Sequence, residues 1–291
     1  EMLTTGAILH GDTERFLAMN AEEHPVALQL GGSNPGDLAA ACKLAEQYAY
    51  AEINLNCGCP SDRVQSGMFG AVMMKNAAIT ADCVAAMRGA VDLPVTVKHR
   101  IGVDDYDSYD FLCQFVGTLS DAGCSTFVVH ARKAWLKGLS PKQNREVPEL
   151  NYDRVYQLKR DFPDAEIIIN GGITTLEQSM KHLNHLDGVM MGREAYTNPY
   201  ILATVDQDIY GASHPVKSRE KIAEQFLDYI DNEMSKGTKL HAMTRHILGL
   251  FHGMPGARLF RRHISENAYK STATIDVLTT ALKATSGAMN K

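Results

Sequence analysis

The sequence predicts an α/β protein: a (β/α)8 barrel of the TIM type, N-terminally truncated in this chain, followed by a small helical domain. Three observations lead there. Short apolar runs alternate with helical patterns as far as about residue 210, glycine turns close two successive late runs, and beyond Gly211 only helical periodicity remains. The expected domains are therefore 1–210 and 211–291.

The runs fall at Val26 to Leu30, Glu52 to Asn56, Pro94 to Lys98, Thr126 to His130, Glu166 to Asn170 and Gly188 to Met191. Leu38, Ala41, Cys42, Ala45 and Ala49 mark one intervening helix face, and Phe111, Leu112, Phe115, Val116 and Leu119 another. Strand, helix and strand in regular order mean parallel strands, in either an open doubly wound sheet or a barrel. Asn170-Gly171-Gly172-Ile173 and Met191-Gly192-Arg193 favour the barrel, whose last two strands commonly end in paired loops that bind phosphate. Glycine lets an anion approach the backbone, and Arg193 adds charge. A barrel needs eight strands and six are clear; Glu1-Met2-Leu3 reads as the tail of a seventh.

Helical patterns follow at about Lys217 to Met234, Leu240 to Phe251, Pro255 to Tyr269 and Ile275 to Ala288, with Pro255 suited to a first turn. Within the third, Arg258, Arg261 and Arg262 share one face, and Phe260 and Ile264 another.

The 291 residues are 45% hydrophobic and 22% charged, enough for a large core. No apolar run has the length of a membrane span. The net charge of −5 argues against general adhesion to nucleic acid, but it is uneven. Residues 211–291 hold 12 Lys and Arg against 7 Asp and Glu, and residues 1–210 hold 17 against 27. A basic tail on an acidic body fits either a polyanion-binding module or a solvated helical surface. Six cysteines without a signal peptide point to a reducing compartment, hence the cytoplasm.

Chemistry concentrates at Ile53-Asn54-Leu55-Asn56-Cys57-Gly58-Cys59-Pro60-Ser61, where an apolar strand ends in a loop carrying a thiol. Cys59 thus sits at a strand's carboxyl end, where α/β proteins keep their active sites. The Cys57/Cys59 spacing is not a usual zinc spacing, and free cysteine also packs as a small hydrophobe, so spacing alone leaves both readings open. No metal site is expected. Cys42, Cys83, Cys113 and Cys124 lie in apolar stretches and read as packing.

Gln29, Lys98 and His130 stand where buried strands are otherwise apolar. Each alone fits a strand tip; together with the glycine pair they suggest a lined pocket at one barrel mouth. The long connection from Lys133 to Leu150 holds Trp135, Lys142, Asn144 and Arg145, a composition suited to a binding loop or to ordinary solvation.

Asn56-Cys57-Gly58-Cys59-Pro60-Ser61-Asp62-Arg63, Val95-Thr96-Val97-Lys98, His130-Ala131-Arg132-Lys133-Ala134-Trp135 and Asn170-Gly171-Gly172-Ile173 closely resemble the tRNA-dihydrouridine synthases over nearly the whole chain. Gly192-Arg193-Glu194-Ala195-Tyr196 and Pro255-Gly256-Ala257-Arg258 resemble the A-type subfamily. The resemblance implies an FMN-binding barrel and a helical tRNA-binding domain that reduce D-loop uridines with NADPH, at position 20 and its neighbour. It also implies that Gln29, Lys98 and His130 contact the flavin and that Asn170, Gly171, Gly172, Gly192 and Arg193 hold its phosphate. Cys59 is then the proton donor, and Asn56, Lys142, Arg145, Arg258 and Arg261 are the positions matched to tRNA contact. The family's first strand carries a Pro-Met segment that nothing before Glu1 supplies, so weaker FMN binding is expected. Cys57, a second thiol beside the acid, leaves room for a redox effect. No protein partner is inferred. Two other readings remain: another FMN barrel acting on a small pyrimidine, such as a dihydroorotate dehydrogenase-like enzyme, and a non-catalytic tRNA-binding protein.

Overall fold

A computed structural model describes the backbone of residues 2–289 and the side chains of residues 2–285. Among the described residues there are seven strands: β1 (Met2–Thr4), β2 (Ala27–Gly31), β3 (Glu52–Cys57), β4 (Val95–Arg100), β5 (Thr126–His130), β6 (Glu166–Asn170) and β7 (Gly188–Met190). They form one parallel sheet in the order β1-β2-β3-β4-β5-β6-β7. A doubly wound sheet reverses its order at a switch point. This order never reverses, so right-handed crossovers place every connecting helix on the same face, the winding of a TIM barrel. The eighth strand of the full barrel pattern is not among the described residues. Glu1-Met2-Leu3 was expected to end a strand, and Met2–Thr4 does pair with β2.

Side chains alternate across the sheet with period two. One set comprises Leu30, Ile53, Leu55, Val97, Phe127, Val129, Ile167 and Ile169, every one with no exposed surface. Burying each stabilises the fold by about 1.5–3 kcal/mol. The other face carries Gln29, Asn54, Asn56, Thr96, Lys98, Arg100, His130 and Asn170, aligned by the register pairs Gln29↔Asn54, Asn56↔Lys98, Arg100↔His130 and His130↔Asn170.

The chain divides into two units. The first is Glu1–Gly172 with Lys181–Met190; the second is Ile173–Met180 with Met191–Lys291. The second is helical, with helices Arg219–Ser235, Leu240–Thr244, Ala257–Asn267 and Asp276–Met289. Its core includes Ala223, Ile230, Phe251, Phe260, Ile264 and Leu278.

Three helix expectations need correction here. Ala49, expected on the face of Leu38 and Ala45, is exposed beyond helix Pro35–Ala45 with φ 55°. The helix expected over Leu240 to Phe251 stops at Thr244, and the chain continues in turns closed by bonds such as Ile247 N–H to Thr244 O and Leu250 N–H to Ile247 O. Thr244 Oγ1 bonds back to Leu240 O at 3.1 Å, and an added side chain on Gly249 would lie 2.2 Å from Thr197 O. Pro255 precedes the third helix instead of opening it. Ala257 N–H closes a turn on Met254 O, with Gly256 at φ 82 and ψ −11, the geometry of a type II turn with Pro-Gly at its centre.

Candidate active site

The polar face of the sheet is wired strand to strand. Gln29 Nε2 donates to Asn54 Oδ1 at 2.8 Å, Asn54 Nδ2 to Thr96 Oγ1 at 2.7 Å, and Asn56 Nδ2 to Gln29 Oε1 at 2.7 Å. Thr96 Oγ1 in turn donates to Glu52. Such a network is stable inside a protein because every amide is paired, and it fixes each amide's orientation.

Cys59 is half-buried in the loop beyond β3, and three contacts hold the backbone of Gly58 and Cys59. Asn56 Oδ1 accepts the N–H groups of Gly58 at 3.1 Å and Cys59 at 2.9 Å, while Cys59 O accepts Ala71 N–H at 2.9 Å. The thiol donates to Ser61 Oγ at 3.5 Å. Cys57 lies on the opposite face of β3, alongside Leu55, with no exposed surface. Burial holds its thiol well above the ordinary range, so it stays protonated and inert.

β4 runs two residues further than expected. Lys98 Nζ donates to Asn170 Oδ1 at 3.0 Å, and Asn170 Nδ2 to Met190 O at 2.8 Å. Burial, then the nearby Arg100 guanidinium, lower Lys98 to about 8. Arg100 is 3% exposed and donates from Nε to Gly58 O at 3.1 Å and from Nη1 to Asn144 O at 3.0 Å and Lys133 O at 3.4 Å. Burial brings its guanidinium down to about 10, still charged at neutral pH. Between them, His99 points to the other face, edge-on to Phe115 and Phe127. Its Nδ1 lies 2.7 Å from Arg100 O, and a carbonyl can only accept, so Nδ1 carries the proton. Its buried Nε2 has no partner, and burial lowers its pKa to about 4.

His130 ends β5 at 8% exposure, beside the turn after β6. Gly171 and Gly172 there have φ of 112° and 73°, so glycine is required by conformation. It is also required by space: a methyl on Gly171 would lie 2.5 Å from His130 Cδ2, and one on Gly172 2.6 Å from Leu150 Cδ1. Tyr152 donates its hydroxyl to Gly171 O at 2.8 Å.

In the connection after β5, Lys142 and Arg145 are exposed and flank the fully buried Asn144. Asn144 Oδ1 accepts Trp135 N–H at 2.8 Å; its Nδ2 donates to Trp135 O at 2.9 Å and Leu139 O at 3.2 Å. A cavity of about 430 Å³ lies alongside, lined in part by Ile101, Lys133, Trp135, Leu150 and Arg154.

Of the residues singled out in the sequence, Gln29, Asn56, Cys59, Lys98, His130, Asn170, Gly171 and Gly172 belong to the first unit, at or just beyond the carboxyl halves of β2 to β6. Gly192, Arg193, Arg258 and Arg261 belong to the second. There Gly192 precedes helix Arg193–Thr197, and Arg258 and Arg261 are exposed on Ala257–Asn267 opposite the buried Phe260 and Ile264. Arg100, Tyr152 and the structural role of Asn144 were not foreseen. Arg100 had a signal, since it follows Lys98 by two and so shares its face of the strand. No group of His, Cys, Asp or Glu that could hold a metal ion occurs among the described residues, and none of their helices is long and apolar enough to cross a membrane.

A half-buried thiol and a half-buried lysine at the carboxyl ends of parallel strands fit an enzyme of the α/β-barrel class. The Dihydrouridine synthase (Dus) family model matches residues 1–286, and the chain belongs to that family. It is 61% identical over 283 residues to a tRNA-dihydrouridine(20/20a) synthase of Vibrio cholerae, covering 97% of this chain and 86% of that one. It is also 61% identical over 284 residues to the protein of that name in Escherichia coli K12, covering 97% and 82%. The Shewanella oneidensis protein of that name is 59% identical, covering 96% and 83%. An old yellow enzyme homologue from Zymomonas mobilis aligns with a TM-score of 0.43 at 12% identity, over 63% of this chain and 52% of that one, a likeness too slight to carry an argument.

Proposed function

We propose that the protein is a flavin-dependent tRNA-dihydrouridine synthase that reduces the C5–C6 bond of D-loop uridine at position 20 and its neighbour, with FMN as cofactor and NADPH as reductant. The observation that carries the reading is the placement of Cys59, a thiol in a loop fixed by Asn56 and Arg100, beyond a strand whose register partner holds Lys98. Family membership and relatives near 60% identity support the substrate class.

The residues present fit FMN. The turn at Gly171 and Gly172, with φ of 112° and 73°, leaves two successive backbone amides without side chains of their own, which suits a phosphate, and the family resemblance gives Gly192 and Arg193 the same role. Gln29, Lys98 and His130 suit the polar edge of a flavin ring. When bound, FMN supplies the hydride, drawn from NADPH, that reaches C6 of the uracil.

The chain's own residues do the rest. The Cys59 S–H gives its proton to C5, quenching the negative charge that develops there. Lys98 keeps a positive charge on the buried polar face, which electrostatically favours electron-rich states of whatever lies against it. A uridine inside folded tRNA must be flipped out to be reached, and Asn56, Lys142, Arg145, Arg258 and Arg261 are proposed to hold the RNA around it.

The test is direct. Purified protein is incubated with FMN, NADPH and tRNA lacking dihydrouridine, and nuclease fragments are weighed by mass spectrometry. A gain of two hydrogens at position 20 and its neighbour is expected; a gain only elsewhere, or none, rejects the proposal.

A further inference from the structure

The loop that presents Lys142 and Arg145 and the loop that carries Cys59 are joined through one buried guanidinium. Arg100 donates to the carbonyl of Gly58, the residue before Cys59, and to the carbonyl of Asn144, the residue before Arg145. Asn144 has no exposed surface, and its side chain spans its own loop, bonding to both backbone groups of Trp135 and to the carbonyls of Leu139 and Ser140. Gln65 makes a second tie, donating from Nε2 to Pro60 O at 2.8 Å and to Leu136 O at 2.7 Å. Both ties start within a residue of Cys59 and end in the connection after β5.

We infer that Asn144 is a positioning residue that couples the outer binding loop to Cys59, so that displacement of Lys142 and Arg145 is felt at the thiol. A charged donor held by backbone carbonyls has no carboxylate to fall back on, and a shift of Asn144 O forces Arg100 either to follow or to leave a buried N–H unpaired. Coupling within one hydrogen-bond network of this kind is what double-mutant cycles detect.

The coupling deepens the proposed function, yet it is tested without turnover. The rate at which iodoacetamide alkylates Cys59 is measured on folded protein without tRNA, in a Cys113→Ser background that removes the other partly exposed thiol. Asn144→Ser, which loses the amide's donors and leaves only a shorter hydroxyl in its place, is expected to change that rate roughly tenfold, the scale of coupling in such a network. It is also expected to raise the KM for tRNA. Lys142→Ala/Arg145→Ala is expected to raise that KM and leave the alkylation rate as it was. If Asn144→Ser unfolds the protein, Asn144→Asp, which keeps an oxygen for the Trp135 N–H and loses only the donors to Trp135, Leu139 and Ser140, takes its place. An unchanged Cys59 rate in the folded variant overturns the inference. A changed rate in a protein that makes no dihydrouridine leaves the coupling standing and rejects only the proposed reaction.

Discussion

Asn56 Oδ1 accepts two consecutive backbone N–H groups, those of Gly58 at 3.1 Å and Cys59 at 2.9 Å, while its Nδ2 donates to Gln29. An asparagine bonding two and three residues ahead makes the loop after β3 a local turn whose shape is set before any ligand arrives. Asn56 is therefore a scaffold for the thiol, whatever else it touches. Asn56→Ala should lower stability by about 1–3 kcal/mol, because a buried N–H and the Gln29 amide lose partners. It should also depress turnover more than tRNA affinity; thermal melts and steady-state kinetics together check both effects.

The two thiols should behave oppositely. Cys59→Ala should slow dihydrouridine formation by roughly 10²–10⁴-fold, as loss of a general acid does. Reduction of bound flavin by NADPH, followed by absorbance, should persist, because that half-reaction precedes proton donation. Cys57→Ala should leave turnover nearly intact and cost about 1 kcal/mol of stability, since Cys57 is only core. Reversed phenotypes would move the catalytic assignment to Cys57.

Lys98 has a pKa near 8 in the folded chain against 10.5 for a free lysine. Between those values the unfolded chain binds more protons than the fold, so this group's contribution to stability rises with pH across the window. Its charge, and with it the support proposed for an electron-rich flavin, fades above about pH 8. The flavin's midpoint potential should accordingly be lower in Lys98→Met and lack the wild type's Lys98-dependent inflection in its pH profile. Spectroelectrochemical titration at several pH values measures this.

His99 makes an acid limit. Its folded pKa is near 4 against an ordinary 6.5, so between those values the unfolded chain binds the extra proton and stability falls as pH falls. The loss over the window is of order 3 kcal/mol. In His99→Leu the melting temperature should decline less between pH 6.5 and pH 4; equal declines would show that His99 does not set the limit.

On the basic helix, Arg258→Ala/Arg261→Ala should weaken tRNA binding and flatten the log–log dependence of affinity on salt by roughly 1.5 units if each arginine meets a phosphate. The flavin spectrum should not change. Affinities measured over a salt series would show an unaltered slope if these side chains only solvate the helix.

The strands were legible because apolar runs of β-branched and aromatic residues, such as Phe127-Val128-Val129, have few other uses. The polar residues interrupting them, Gln29, Lys98 and His130, do lie on one face of the sheet. Arg100 escaped notice because the apolar run ends at Val97, whereas the strand continues as long as its backbone finds partners in Cys57 and His130. Asn144 escaped because its bonds run to backbone groups up to nine residues away, which no local pattern records. The helix expected through Phe251 failed because the spacing of Met243, Ile247 and Leu250 suits successive turns as well as a helix.

Trp135 is the chain's single tryptophan, pinned through both backbone groups by Asn144, with Lys133 Nζ 4.1 Å from the centroid of its ring. All the indole emission of this protein therefore originates in the connection after β5, next to the Lys133 cation. The molecule carries its own optical gauge of that loop, readable in an unlabelled sample on the millisecond scale of a stopped-flow mixer.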